Sequence, residues 1–290
     1  MSGKECRRPV WRIIISIFSC SVGGRVMPYI ETSSGIRLYY ESYGQGRPVI
    51  FVHPPLTGLA VFKYQKALSE HYRVILYDLR GHGKSGYLPS TGADRVVADH
   101  LDDLSALMDG LQLKKPILAG YSNGGILALA YTLKHKKKVG GLILSGGYPK
   151  VDSPLLAAEY KIGVMMMYFR QKRLLSVFLS RMQKVTQADQ KLLSDWAMKT
   201  NTQAALDLYR SGLRFDAVNR LHELNDMPIL ILYGTWDKFI NKHRKYFEKL
   251  QNAEIVYINK AFHQLPTHHH DIFNQVIIKF LTALSLRRVP

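Results

Sequence analysis

Apolar and polar positions change period repeatedly along the chain, and those changes divide it into strands and helices. Residues 36–43 alternate, as an early edge strand does, and a turn follows at Gly44-Gln45-Gly46. Residues 49–52, 73–77, 116–119, 141–144, 228–233 and 253–258 are instead short, nearly continuous apolar runs. Runs of that kind suit strands buried on both faces. With a first strand near Tyr29, the pattern predicts eight strands. Helical spacing, with apolar residues three and four apart, covers 96–111, 124–133 and 272–284. Strand followed by helix, repeated, is the signature of a mostly parallel sheet covered on both faces.

One long interruption breaks this alternation. Residues 149–225 contain no credible strand and are rich in Met, Leu, Tyr and Phe at helical spacing, with Lys and Arg between them. We read them as several helices inserted between two strands, a lid over the C-terminal edge of the sheet. The expected division is therefore a core from 27–148 and 226–290 and a helical cap from 149–225. Met165-Met166-Met167-Tyr168-Phe169 is expected either to give that cap a flexible apolar lining or simply to pack as a helix core.

Composition narrows the class without naming a function. Of 290 residues 47% are hydrophobic and 21% charged, which excludes a disordered chain. No apolar run approaches the roughly 18–20 residues of a membrane-spanning helix, so stable membrane insertion is not expected. Both cysteines, Cys6 and Cys20, fall in the first twenty residues, so the domain is expected to fold without a disulfide or a thiolate metal site. Residues 1–26 place Lys4, Arg7, Arg8 and Arg12 ahead of a short apolar run and then small residues. They read as a non-structural leader upstream of a start at Met27, as a targeting signal, or as a surface helix. The expectation is a cytoplasmic protein, or a secreted one if the leader is a genuine signal.

The formal net charge is +18, and +14 without the leader's five bases and one acid. The bases are dispersed, apart from Lys134-His135-Lys136-Lys137-Lys138, which reads as a solvated helix C-terminus where cations complement the dipole. There is no zinc-finger spacing and no aromatic RNA-binding signature, so nucleic acid is not an expected partner. Nor is there a Gly-x-Gly-x-x-Gly after the first strand or a phosphate-binding loop, and no cofactor is expected.

Chemistry concentrates at Gly120-Tyr121-Ser122-Asn123-Gly124-Gly125, which follows a buried strand and opens an apolar helix. That is the strand–turn–helix setting of a Gly-x-Ser-x-Gly nucleophile elbow. The turn strains the serine backbone, the flanking glycines let strand and helix pass closely, and the hydroxyl stands near the helix's positive end.

With this elbow the chain resembles the α/β-hydrolase family over essentially its whole length from Pro28 to Leu286. Arg80-Gly81-His82-Gly83-Lys84-Ser85, after a strand ending at Asp78, resembles the family's Asp-x-x-Gly-x-Gly-x-Ser segment, and His53 its oxyanion-loop signature. The resemblance implies a serine nucleophile, an acid and a histidine in that chain order. Ser122, Asp237 and His263 fill those places. On local sequence alone Asp237 reads as a turn or N-cap aspartate. Asp226 stands at the wrong end of its strand. His268-His269-His270 are adjacent in sequence and do not converge on a metal, so no metal site is expected. The resemblance further implies oxyanion donors from Asn123 N–H and from the loop after the third strand. In His53-Pro54-Pro55-Leu56-Thr57-Gly58 the usual donor position is Pro55, which has no N–H. The expectation passes to Leu56, or else to a hole with one donor. The implied reaction is hydrolysis of a small apolar carboxylic ester or lactone through an acyl-enzyme. Alternatives are carbon–carbon bond hydrolysis or cofactor-free peroxidation on the same residues, and a slow-turnover ligand sensor.

Overall fold

Residues 28–286, described by a computed structural model, contain a single sheet of eight strands; the leader at 1–26 lies outside them. In chain order the strands are β1 (Tyr29–Glu31), β2 (Arg37–Tyr43), β3 (Pro48–Val52), β4 (Arg73–Tyr77), β5 (Ile117–Tyr121), β6 (Gly141–Ser145), β7 (Ile229–Gly234) and β8 (Ala253–Ile258). Their spatial order is β1-β2-β4-β3-β5-β6-β7-β8. β2 is antiparallel to both β1 and β4, and the pairs from β4 through β8 are parallel. The continuous apolar runs become the central strands, and every residue of β5, β6 and β7 is buried, except that the run at 253–258 forms β8 at the edge with only Ile258 fully buried. Alternating β2 lies toward the edge with only Leu38 and Tyr39 fully buried.

Two apolar layers sandwich the sheet. On one face α1 (Arg95–Gly110) and α2 (Asn123–Lys134) cover Ile50, Ile75, Leu118 and Leu142. On the other, α9 (His270–Leu286) and a largely 3₁₀ segment, Leu59–Glu70, cover Val49, Phe51, Leu76 and Ile143. Alternate residues of each strand serve opposite layers, as the pleat requires. The Leu59–Glu70 segment carries a break at Phe62, and the periodicity of the sequence does not announce it. Two short helices, α7 (Arg244–Phe247) and α8 (Leu265–His268), sit in the last connections.

Between β6 and β7 lie four helices, α3 (Pro154–Tyr168), α4 (Lys172–Gln183), α5 (Gln187–Lys199) and α6 (Thr202–Arg214). Their starts are written locally: Ser153, Thr186 and Asn201 accept hydrogen bonds at three of the four N-termini, Thr186 with Asp189 in a capping box. They meet the rest of the chain at the C-terminal ends of the strands. Gln183 donates to Tyr121 Oη at 2.8 Å, and Trp196 Nε1 donates to Asp78 just past β4. Asp189 takes Lys63 at 2.5 Å and Tyr64 at 2.7 Å. Of the predicted apolar lining at 165–169, only Met167 is fully buried. Met165, Tyr168 and Phe169 are exposed, because α3 turns its Leu156, Tyr160, Gly163 and Met167 stripe inward.

Asp78 is the joint of this edge. Its carboxylate is fully buried and accepts from Leu59 N–H (2.8 Å), Lys84 N–H (2.9 Å) and Trp196 Nε1 (3.1 Å). It thereby ties together the loop after β3, the loop after β4, and α5. Burial raises its carboxyl to about 6, against the pull of those donors. An acid with a raised folded pKa stabilises the fold below its unfolded value and loses that contribution as pH rises through about 6. Stability to urea is therefore expected to fall between pH about 4 and 6 by up to about 3 kcal/mol. Asp78→Asn should flatten that slope; an unchanged slope would assign it to other groups.

Candidate active site

β5 delivers Ser122 to the top of the sheet and α2 carries the chain away. Ser122 takes φ 52° and ψ −123°, a left-handed backbone that a side chain adopts only under constraint. The constraint is close packing. A Cβ on Gly120 would lie 2.5 Å from Gly125 Cα, and one on Gly124 would overlap the Val52 carbonyl oxygen. Glycine at both positions lets strand and helix pass and sets the loop after β3 directly against the start of α2. Ser122 N–H donates to Ser145 O at 2.9 Å, fixing the turn to the end of β6.

His263 and Asp237 meet beside that turn. Asp237 follows β7, is buried, and accepts from His263 Nδ1 at 2.9 Å. The proton on Nδ1 leaves Nε2 with its lone pair free. The imidazole packs on Tyr121 at 5.3 Å and against Gly146, where a Cβ would overlap its Cε1. Gly146 takes φ 57° immediately after Ser145, so Ser122 and His263 approach one short turn of backbone from two sides. Burial pushes the His263 pKa down, but the hydrogen bond and charge of Asp237 more than offset it, and the net shift is upward. Asp226 is elsewhere, exposed and paired with Lys136 at 2.6 Å.

The loop after β3 is held by its own polar groups. Pro54 O accepts from His53 Nδ1 (2.9 Å) and Thr57 Oγ1 (3.0 Å), and His53 Nε2 accepts from Leu79 N–H (2.9 Å). With both ring nitrogens so used, His53 is neutral, and burial keeps it so. Leu56 takes φ 68°, and its side chain is buried among Met167, Leu175, Ala197 and Ala205 of the inserted helices. No hydrogen bond to the Leu56 N–H is found among the described residues. Asn123 N–H, first in α2, has no acceptor one turn back in the helix. A narrow cleft with room for little more than one water molecule lies beside Leu56 and Thr57, walled by Ser176, Ser180 and Gln183 of α4.

The sequence gives little warning of a second polar group here. Asn123 Nδ2 donates to Tyr160 Oη at 2.8 Å, the Tyr160 and Tyr148 hydroxyls are hydrogen-bonded at 2.5 Å, and the Tyr148 hydroxyl interacts with Ser122. Both rings are buried, and burial raises both phenols, Tyr148 well above its ordinary value. Each therefore has one proton to place. The buried Asn123 Oδ1 has no partner and becomes an acceptor for Tyr160 when the amide is turned over, so the Tyr148–Tyr160 bond can run in either direction. The two tyrosines stand 12 residues apart and on different elements, which hides the pair from periodicity. The three consecutive histidines diverge: His268 Nε2 contacts Lys184 O at 3.0 Å, while His270 stacks on Tyr64 at 4.0 Å.

This arrangement has relatives. A family profile described as "Serine aminopeptidase, S33" matches residues 64–270. Over 266 residues the chain is 27% identical to a 2-hydroxy-6-oxononadienedioate/2-hydroxy-6-oxononatrienedioate hydrolase of Pseudomonas putida, covering 85% of this chain and 92% of that one. Among solved structures it is similar to an esterase from Exiguobacterium antarcticum (TM-score 0.77, 22% identity, covering 88% and 98%). It is also similar to a thermophilic esterase from Thermogutta terrifontis (TM-score 0.73, 25% identity, covering 89% and 98%). Sheet order, inserted helices and profile agree: the chain belongs to the S33 serine aminopeptidase family of α/β-hydrolases.

Proposed function

We propose that the protein hydrolyses small carboxylic esters or lactones, with Ser122 as nucleophile, His263 as general base and acid, and Asp237 as the group that orients the imidazole. The observation that carries this reading is the 2.9 Å His263–Asp237 hydrogen bond beside a serine held at positive φ. His263 Nε2 removes the Ser122 proton as Oγ attacks the carbonyl carbon. The new charge on the carbonyl oxygen is met by Asn123 N–H and Leu56 N–H. The imidazolium formed is stabilised by Asp237 and returns its proton to the leaving alcohol. Water, activated by the same histidine, then releases the acid from Ser122.

The similarity to dienedioate hydrolases supports a second reading, carbon–carbon bond hydrolysis with the same three residues. A panel of p-nitrophenyl esters, lactones and 2-hydroxy-6-oxo-dienoates separates the two by kcat/KM. The ester reading expects the first two classes to exceed the third, and the reverse order would overturn it.

Ser122→Ala is expected to lower p-nitrophenyl acetate hydrolysis at least about 10⁴-fold, and adding His263→Ala should cost little more, because the residues act as one unit. Losses that multiply would show that they act separately.

The pH profile tests Asp237. Catalysis needs neutral His263, so kcat/KM should fall below a pKa lying above the ordinary histidine value. In Asp237→Asn the main upward influences are gone while burial and the lesser pull of Glu159 remain, so the acid limb moves to lower pH. The plateau should drop by about 10⁴-fold. An unmoved limb would assign another acid.

Gly146→Ala tests the placement of the ring. Its methyl would overlap His263 Cε1 and displace the imidazole, with an expected loss of about 100-fold in kcat. Activity within a few-fold of the parent protein would mean that the imidazole does not need this position.

A further inference from the structure

The outer surface of the inserted helices has the wrong polarity for a face that meets water. α4 is mixed where it faces in and apolar where it faces out. Its inner side carries buried Ser176, Ser180 and Gln183 beside Leu175, whereas its outer side presents Leu174, Phe178 and Met182, 61%, 57% and 40% exposed. The inner serines donate to carbonyls of the same helix, Ser176 to Lys172 O and Ser180 to Val177 O. α3 is apolar on both sides. Leu156, Tyr160 and Met167 point inward, while Leu155, Ile162 and Met165 are exposed, as is Phe169 just past its end. A helix apolar all round belongs in a core or against lipid, and an outward apolar face calls for a partner.

Charge selects the partner. Across residues 155–185 six bases, Lys161, Arg170, Lys172, Arg173, Arg181 and Lys184, stand against one acid, Glu159. Lys172 donates to the Met198 and Thr200 carbonyls and Lys184 to the Gln190 side chain. None of the six pairs with a carboxylate among the described residues. Some bases elsewhere are neutralised, as in Lys66–Glu41, Lys136–Asp226 and Lys150–Asp216. A second copy docked on this face would set like charges against each other at a drying contact. The leader, with five bases and one acid, meets the same repulsion. An anionic bilayer surface suits both halves. Apolar side chains enter the boundary between headgroups and acyl chains, and the bases meet lipid phosphates.

We propose that the outer faces of α3 and α4 dock the protein peripherally on anionic membranes. This contact is interfacial: no helix among the described residues is long and apolar enough to cross a membrane. It is independent of which bond the enzyme breaks.

Co-sedimentation of the full chain with vesicles of phosphatidylcholine, with and without roughly one third phosphatidylglycerol, tests the proposal. Binding is expected to be at least about tenfold stronger to the anionic vesicles and to weaken as salt is raised. The pair Leu174→Ser and Phe178→Ser should lower it about tenfold or more, at unchanged melting temperature and unchanged hydrolysis of a water-soluble ester. The pair Arg173→Glu and Arg181→Glu should lower it roughly fivefold for each cation removed. Equal partitioning to both vesicle types would overturn the proposal. So would undiminished binding of either variant, which would place the contact in the leader or elsewhere. A concentration-dependent dimer lost on Phe178→Ser, or capture of an acidic protein without lipid binding, would reassign the face to a protein partner and equally overturn it.

Discussion

Everything at the top of the sheet depends on how closely α2 can approach β3 and β5. That approach is a steric matter decided by absent atoms. Side chains at Gly120 and Gly124 would run into the backbone of Gly125 and into the Val52 and His53 carbonyls. Without them the helix start descends onto the sheet, Ser122 is forced to φ 52°, and its hydroxyl is lifted clear of the strand. The strain is held in place by the two cores packed on either face of the same strands. The price of the elbow is thus met by burial far from it.

A second constraint ties the inserted helices to this elbow. Asp78 gathers donors from two loops and from Trp196 of α5, and Asp189 of α5 clamps Lys63 and Tyr64. The loop after β3 runs between these clamps. Its Leu56 side chain is buried in the apolar cluster of the inserted helices while its backbone takes a left-handed turn beside α2. The position of that amide is therefore set from above as well as below. Two prolines ahead of Leu56 narrow the loop's alternatives further, since each fixes its own φ.

How legible was this from the sequence? Continuous apolar runs announced β3 to β7, because a strand buried on both faces has no polar side to interrupt it; β8 was found the same way but is a half-exposed edge strand, with Glu254 and Tyr257 exposed. The elbow was legible because its chemistry is local, a few residues spanning one turn. Asp237 and His263 were found through a family pattern, since 26 residues separate them and nothing local marks either one. The Leu59–Glu70 segment escaped because 3₁₀ geometry and a break at Phe62 spoil the helical period. Tyr148, Tyr160 and Gln183 escaped for a different reason: in sequence each is an ordinary half-polar residue. Only the packing of α3 and α4 over the strand ends brings Tyr160 to Tyr148 and Asn123, and Gln183 to Tyr121. The residues at 165–169 were misjudged in direction, because an apolar helix gives no periodic signal of which side faces in.

Phe262 shows how a bulky side chain is accommodated beside crowded backbone. In this chain the crowding is real: a Cβ on Gly234 would overlap the Ala261 carbonyl and approach the Phe262 carbonyl to 2.5 Å, and Trp236 N–H donates to Ala261 O at 2.9 Å. The side chain of Phe262 avoids it by pointing outward, 56% exposed, where it packs on Trp236 at 5.3 Å. Trp236 immediately precedes Asp237 and Phe262 immediately precedes His263. The aromatic contact therefore joins the two loops on the outside just as the 2.9 Å hydrogen bond joins them within. An aromatic pair of this kind is worth roughly 0.5–1.5 kcal/mol beyond its burial. Glycine would leave the His263 loop freer to move against Asp237. Phenylalanine spends exposed apolar surface to hold the imidazole's donor and acceptor in line.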